Sequence, residues 1–142
     1  TEKFLYKLEW LNHLKIMLDN DLKEYPKMVV LGDFNIAPSD EDIHDPDEWK
    51  DKILCSDQER SALEEILSLG FHDSFRLFEK GSGFHSWWDY RAAAYRRGLG
   101  LRIDLLLASD ELKSACKKGY IDEKPRGLEK PSDHTPVVIE IS

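Results

Sequence analysis

The stretch Lys27-Met28-Val29-Val30-Leu31-Gly32-Asp33-Phe34-Asn35 ends an apolar run in a carboxylate and an amide two positions apart. On extended backbone such side chains share a face, so Asp33 and Asn35 point the same way. A charged acceptor beside a neutral donor–acceptor suits an anion with a metal ion or a water next to it. The pair also suits an Asx-type turn closing a strand, with no chemistry implied. Asp104 lies inside Ile103-Asp104-Leu105-Leu106-Leu107, where an unpaired buried carboxylate is costly. It needs a partner, either Arg102 two residues back on the same face or a histidine whose ring it orients. His134, preceded by Asp133 and entering a final apolar run through Pro136, is the candidate, although a lone histidine there is often an ordinary loop residue. An acid, an amide, a carboxylate–imidazole couple and a further acid together suit metal-assisted attack of water on a phosphodiester.

A second cluster, Trp87, Trp88 and Tyr90 followed by Arg91, Arg96 and Arg97, mixes rings with guanidinium groups. Trp88 reads as core. The others suit a nucleic-acid groove, with cations on phosphate and a ring covering a base or an abasic gap.

These groups can meet only if several strands bring their ends to one rim of a sheet. Phe4, Leu8, Leu11, Leu14 and Leu18 recur at helical spacing and predict a helix from the first residues, with Thr1 as its cap. Pro26 separates it from a strand over 27–33, where Val29, Val30 and Leu31 suit burial on both faces. Ser39–Asp51 carries seven acids without the ligand alternation or glycine of a calcium loop, and predicts a solvated surface loop. Ser56 and Glu59 form a capping box that opens a helix burying Leu63, Ile66 and Leu67 and ending at Gly70. Strands follow near 71–76, 84–88, 101–108, 119–121 and 136–141, with Leu101, Ile103, Leu105 and Leu107 on one face of the third of these; a short helix and a basic loop fill the rest of 110–131.

The chain has 142 residues, 41% hydrophobic and 34% charged, which predicts one globular α/β domain over 1–142. No stretch reads as a membrane span or a secretion signal, so the expected compartment is the cytoplasm, with no membrane partner. Cys55 and Cys116 lack metal-ligand spacing and read as packing residues. The net charge of −8 argues at first against nucleic acid, but residues 91–130 hold 10 basic and 6 acidic side chains, enough for a local phosphate contact.

The motifs Gly32-Asp33-Phe34-Asn35, Ser86-Trp87-Trp88-Asp89-Tyr90-Arg91-Ala92, Gly100-Leu101-Arg102-Ile103-Asp104 and Pro131-Ser132-Asp133-His134 stand in the order found in bacterial exonuclease III, which the chain resembles along essentially its whole length. That family lies within the endonuclease/exonuclease/phosphatase superfamily. The Asp-x-Asn and Ser-Asp-His elements are superfamily-wide, whereas Trp-Trp-Asp-Tyr-Arg and Gly-Leu-Arg-Ile-Asp are narrower and point to its DNA-repair branch. The resemblance implies the C-terminal half of a four-layer α/β sandwich, two β-sheets flanked by helices. It also implies a Mg²⁺-dependent nuclease, with Mn²⁺ as a possible substitute, acting on duplex DNA at 3′ ends and abasic sites.

Carried over by position, the resemblance implies catalytic roles for Asp33, Asn35, Asp104 and His134, a metal site from Asp33, Asn35 and Asp133, and DNA contacts from Trp87, Arg91, Leu101, Ile103 and His134. Asp33 would activate the water or protonate the leaving oxygen. Family members are about twice as long, and their first half supplies an asparagine, a metal-binding glutamate and a phosphate-contacting tyrosine that have no counterpart here. The expectation is therefore a fragment whose partner is the missing N-terminal half, and which is inactive alone. Two other readings remain open: a superfamily phosphodiesterase acting on lipid or inositol phosphates, and a non-catalytic fragment or binding module.

Overall fold

The computed structural model describes residues 1–142. Helix α1 (Glu2–Glu24) is capped by Thr1, whose Oγ1 accepts the Phe4 N–H at 3.2 Å. Its stripe turns Leu11 and Leu18 fully inward and half-buries Phe4, Leu8 and Leu14. Strand β1 (Val29–Asp33) follows. Beyond it come the four-residue helix α2 (Pro46–Trp49) and α3 (Asp57–Leu67), the latter opened by the expected Ser56–Glu59 box.

The remaining elements are short. Strand β2 covers Phe71–Asp73, β3 Trp87–Trp88, β4 Gly100–Leu101 and β5 Asp104–Ser109. Helix α4 (Ala94–Arg97) lies between β3 and β4, and α5 (Asp110–Lys113) leads from β5 to β6 (Cys116–Ile121) and β7 (Val137–Ile141). Strand β5 is the centre of an antiparallel sheet ordered β1-β5-β2, while β3 pairs with β4 and β6 with β7.

Leu11 and Leu18 of α1, Leu63 and Ile66 of α3, and Phe71, Leu105 and Leu107 of the sheet form one core with Phe34 and Ile36. A second, smaller core of Ala37, Ile43, Cys55, Leu101 and Ile103 lies under Trp87. Both cysteines are buried and unbridged, and burial pushes the Cys55 thiol up to about 11.

Four expectations change. Strand β1 is not buried on both faces: Val29 and Val30 are half-buried and Leu31 is 67% exposed. One face of the sheet carries α1 and α3, and the other leaves Leu31, opposite Leu106 in the register, against solvent.

The continuous strand over 101–108 is also broken. Leu101 pairs with Trp87 and Asp104 with Asp33, so the chain changes sheets through Arg102 and Ile103. The Ser86 hydroxyl accepts the N–H groups of Ile103 and Asp104 at 3.0 and 3.1 Å, satisfying the donors freed at that bend.

Third, the acidic segment is not wholly solvated. Asp42 is 1% exposed and accepts Arg102 Nε and an Arg76 guanidinium N–H, each at 2.6 Å. Finally, strand lengths shift: 71–76 becomes β2 plus a 3₁₀ turn over Ser74–Leu77, 84–88 keeps only its last two residues, and 119–121 extends back to Cys116.

Candidate active site

The antiparallel register sets Asp33 of β1 directly opposite Asp104 of β5. Two strand ends thereby deliver two carboxylates to one rim. The third element arrives through β3. Trp87 bridges His134, the Trp88 N–H donates to the Asp133 carbonyl at 3.0 Å, and the Thr135 N–H donates to the Ser86 carbonyl at 2.9 Å. The segment 133–135 is thus laid along β3 as an extra strand, and β3 is itself tied to the bend before Asp104 through Ser86.

The result is a compact polar triad. His134 Nδ1 lies 2.8 Å from Asp104 Oδ2, a hydrogen bond, and His134 Nε2 lies 3.6 Å from Asp33 Oδ2, an ion-pair distance too long for one. One donor atom from each of Asp33, Asp104 and His134 falls within 4.8 Å of the others. Arg102, the alternative partner for Asp104, is not used. It is fully buried and pairs with Asp42 and, through two N–H groups at 3.1 and 2.6 Å, with Asp73.

Titration of the couple follows from its surroundings. For His134, burial pushes downward, but the Asp104 hydrogen bond and the charges of Asp104, Asp33 and Asp133 outweigh it and raise the ring above its ordinary value. For Asp104, burial dominates, Asp33 adds repulsion, and the bonds from His134 and Ser86 compensate only in part, so this carboxyl is raised as well. Both side chains therefore hold a proton to higher pH than they would free in water.

Asn35 sits at φ +51°, in the left-handed region that asparagine tolerates better than most residues. Its N–H donates to Asp33 Oδ1 at 2.8 Å. The Asx turn and the candidate site are therefore the same structure. Asp133 Oδ2 accepts the Trp87 indole N–H at 3.1 Å, which ties the carboxylate to the ring beside it.

The model of the endonuclease/exonuclease/phosphatase family matches residues 6–134. The chain belongs to this family. It is 35% identical to exodeoxyribonuclease III of Haemophilus influenzae over 97% of its own length and 54% of the relative's. In structure it is similar to a Neisseria 3′ phosphatase bound to a product DNA hairpin (TM-score 0.97, 43% identity, 100% of this chain and 55% of that one). It is likewise similar to an AP endonuclease from Archaeoglobus fulgidus (TM-score 0.93, 38% identity, 99% and 55%). The chain spans about half the length of these proteins. The mixed α/β architecture is that of the exonuclease/AP endonuclease fold.

Within this family member, the remaining sequence-derived residues take distinct places. Trp87 is half-buried at the rim, but Leu101 and Ile103 lie behind it in the small core, at 0% and 2% exposure. Arg91 is exposed and folds back on Asp89, with Nε and a terminal N–H on the carboxylate at 3.1 and 2.7 Å. Those bonds pull the Asp89 carboxyl down to about 2. The backbone beyond Arg91 is bent through Ala92 and Ala93, both left-handed.

A divalent cation fits the donor chemistry. Asp33, Asn35 and Asp133 each carry side-chain oxygen, which a hard ion prefers, but the ligand atoms gathered within 4.8 Å of one another are those of Asp33, Asp104 and His134, so the expected set meets that cluster only at Asp33. His134 Nδ1 is already engaged by Asp104. Sequence reasoning missed Ser86, Asp42 and Asp73. The usable signal was Arg102 itself, because a guanidinium inside an apolar run requires carboxylates from elsewhere.

Proposed function

We propose that the protein carrying this chain is a divalent-metal-dependent DNA-repair nuclease of exonuclease III type. It would remove nucleotides from 3′ ends of duplex DNA and cleave 5′ to abasic sites. The observation that carries this reading is the meeting of Asp33, Asp104 and His134 within 4.8 Å, at the end of a sheet and beside the Trp87–Arg97 segment. The relatives, an exodeoxyribonuclease III, a 3′ phosphatase with a DNA product and an AP endonuclease, support the same class.

In this reading Asp33 handles a proton, taking one from the attacking water or giving one to the leaving oxygen. Asp104 fixes the ring of His134 through Nδ1, leaving Nε2 turned toward Asp33. The surrounding carboxylates favour the imidazolium, so the ring opposes negative charge building on the phosphate. The Asn35 amide donates to a phosphate oxygen. Asp33, Asn35 and Asp133 would hold Mg²⁺, with Mn²⁺ as substitute, and the bound ion would supply charge neutralisation at the phosphoryl group.

On the DNA side, Trp87 offers a ring face backed by Leu101 and Ile103, His134 meets the phosphate, and Arg91 reaches toward the duplex. The rest of the longer protein packs on the sheet face where Leu31 is exposed, completing a two-sheet fold around a single domain to which residues 1–142 contribute. The proposed compartment is the cytoplasm, where such a substrate lies in a bacterial cell. No helix of the chain is long and apolar enough to cross a membrane.

The test compares the full protein, its Asp33→Asn and His134→Ala variants and the 142-residue chain alone, with Mg²⁺, on an abasic duplex, a 3′-recessed duplex, an inositol phosphate and a lipid phosphodiester. DNA cleavage by the full protein is expected, with each variant slowed by about a thousandfold or more while still binding duplex, and negligible cleavage by the chain alone. Near-normal turnover by either variant would remove the assigned roles. Preference for the inositol or lipid substrate would move the protein to another branch of the family.

A further inference from the structure

Asn35 is held in its left-handed conformation from both sides of its main chain. Its N–H goes to Asp33 Oδ1 at 2.8 Å, and its carbonyl accepts a hydrogen bond from Lys7 Nζ. Lys7 is on α1, far from the strand in sequence, with a side chain 17% exposed. The same ammonium pairs with Glu59, whose side chain is fully buried at the start of α3.

Glu59 does more than close a capping box. One oxygen accepts the Ser56 N–H and hydroxyl at 3.3 and 2.7 Å, and the other accepts the Leu54 N–H at 3.1 Å in addition to Lys7. Leu54 is at φ +77°, a conformation that L side chains rarely hold, and its carbonyl accepts the Ala37 N–H at 2.8 Å. Lys7 and Glu59 thus join α1, α3, the 50–56 loop and the turn over 33–37.

A buried ion pair adds little or nothing to net stability compared with apolar packing, because desolvation cancels the attraction. What it supplies is geometry. We propose that Lys7, backed by Glu59, is a positioning residue that fixes the main chain of Asn35, and so the direction of its amide, at the reaction centre. The proposal rests on the nuclease reading for its kinetic consequence, but not for the clamp itself.

Lys7→Met alone leaves a buried carboxylate without its cation, so the informative variant pairs it with Glu59→Gln. The double variant is made in the full protein, in the natural background and in Asn35→Gly, which removes the amide and suits positive φ. With Mg²⁺ and abasic duplex, kcat is expected to fall about 10- to 100-fold in the natural background, as for a misplaced reacting group, with KM little changed. In the Asn35→Gly background the same pair should cost nothing further. An equal loss in both backgrounds, or unchanged kcat in the natural one, would overturn the proposal.

A metal-free readout separates the two claims. Amide NMR of the folded full protein should show the Phe34, Asn35 and Ile36 resonances shifted and their hydrogen exchange accelerated in the Lys7→Met/Glu59→Gln variant. Unchanged resonances would overturn the clamp. Should the unsubstituted protein cleave no DNA while these signals move, the clamp stands and the nuclease reading falls.

Discussion

Replacing Arg102 by Met should be among the most damaging single changes outside the candidate active site. Arg102 is fully buried, with Nε on Asp42 Oδ1 at 2.6 Å and its other nitrogens on Asp73 at 3.1 and 2.6 Å. Its guanidinium also lies over the Phe75 ring, 4.9 Å from the centroid. Met fills much of the volume but takes the guanidinium away from both carboxylates, of which Asp42 is 1% exposed. Arg76 still reaches Asp42, so the orphaned charge is softened rather than abolished. Removing one partner of a buried pair costs about 3–5 kcal/mol, and the surviving Arg76 bond places the expectation near the lower end.

The pH dependence gives the sharper check. In the native protein burial pushes Asp42 up, but Arg102 and Arg76 outweigh it and hold the carboxyl below its ordinary value of 3.8. A depressed folded value means stability that is present above 3.8 and lost as pH falls through the folded value. In Arg102→Met the sign reverses: an underpaired buried carboxyl is raised, so its penalty is largest near neutrality and relieved as acid neutralises it. Urea unfolding of the full protein and its variant at pH 7 and pH 4 should show a gap that narrows in acid. A loss under about 1 kcal/mol, within the range of an ordinary surface change, or a gap independent of pH, would refute the reasoning.

Three further outcomes are expected. Asp104→Asn removes the strongest influences raising His134, so the ring should titrate at lower pH when its proton NMR signals are followed in metal-free protein; an unchanged or higher titration point would contradict the pairing at 2.8 Å. Leu11→Ala empties a site 1% exposed in the main core and should cost about 2–5 kcal/mol in denaturant unfolding, whereas a loss below about 1 kcal/mol would show that α1 is not seated as described. Leu31→Lys should leave the isolated chain's folding almost unchanged, since that side chain is 67% exposed. In the full protein it should lower the thermal midpoint, and equal effects in both would argue against a covering half.

The helices were legible because their signals are local. The α1 stripe and the Ser56–Glu59 box each lie within a few residues, where spacing decides geometry. The chain break at Arg102 was not legible, because the apolar alternation of Leu101, Ile103, Leu105 and Leu107 continues across it. Those four residues do lie in cores, but in two different ones. The Asp42 partnership was hidden among seven acids of similar appearance, and only a partner sixty positions away distinguishes it. Exposure of Leu31 could not be read from β-rich apolar sequence, because that pattern describes what the strand favours and not whether a second layer is present.

The candidate site follows from pairing register more than from the identity of any one residue. Asp33 meets Asp104 because β1 and β5 pair antiparallel without a bulge from Val29–Ala108 to Asp33–Asp104. A slip of one residue would turn one carboxylate to the opposite face. The apolar side chains resist that slip, since Leu105 and Leu107 would leave the core they share with α1 and α3. His134 is set by a different register, its pairing with Trp87, and the Ser86 hydroxyl on the Ile103 and Asp104 N–H groups locks the two registers together. The energy that holds the triad in place is therefore core burial transmitted through main-chain hydrogen bonds, while the short contact between Asp104 and His134 orients a ring that the backbone has already delivered.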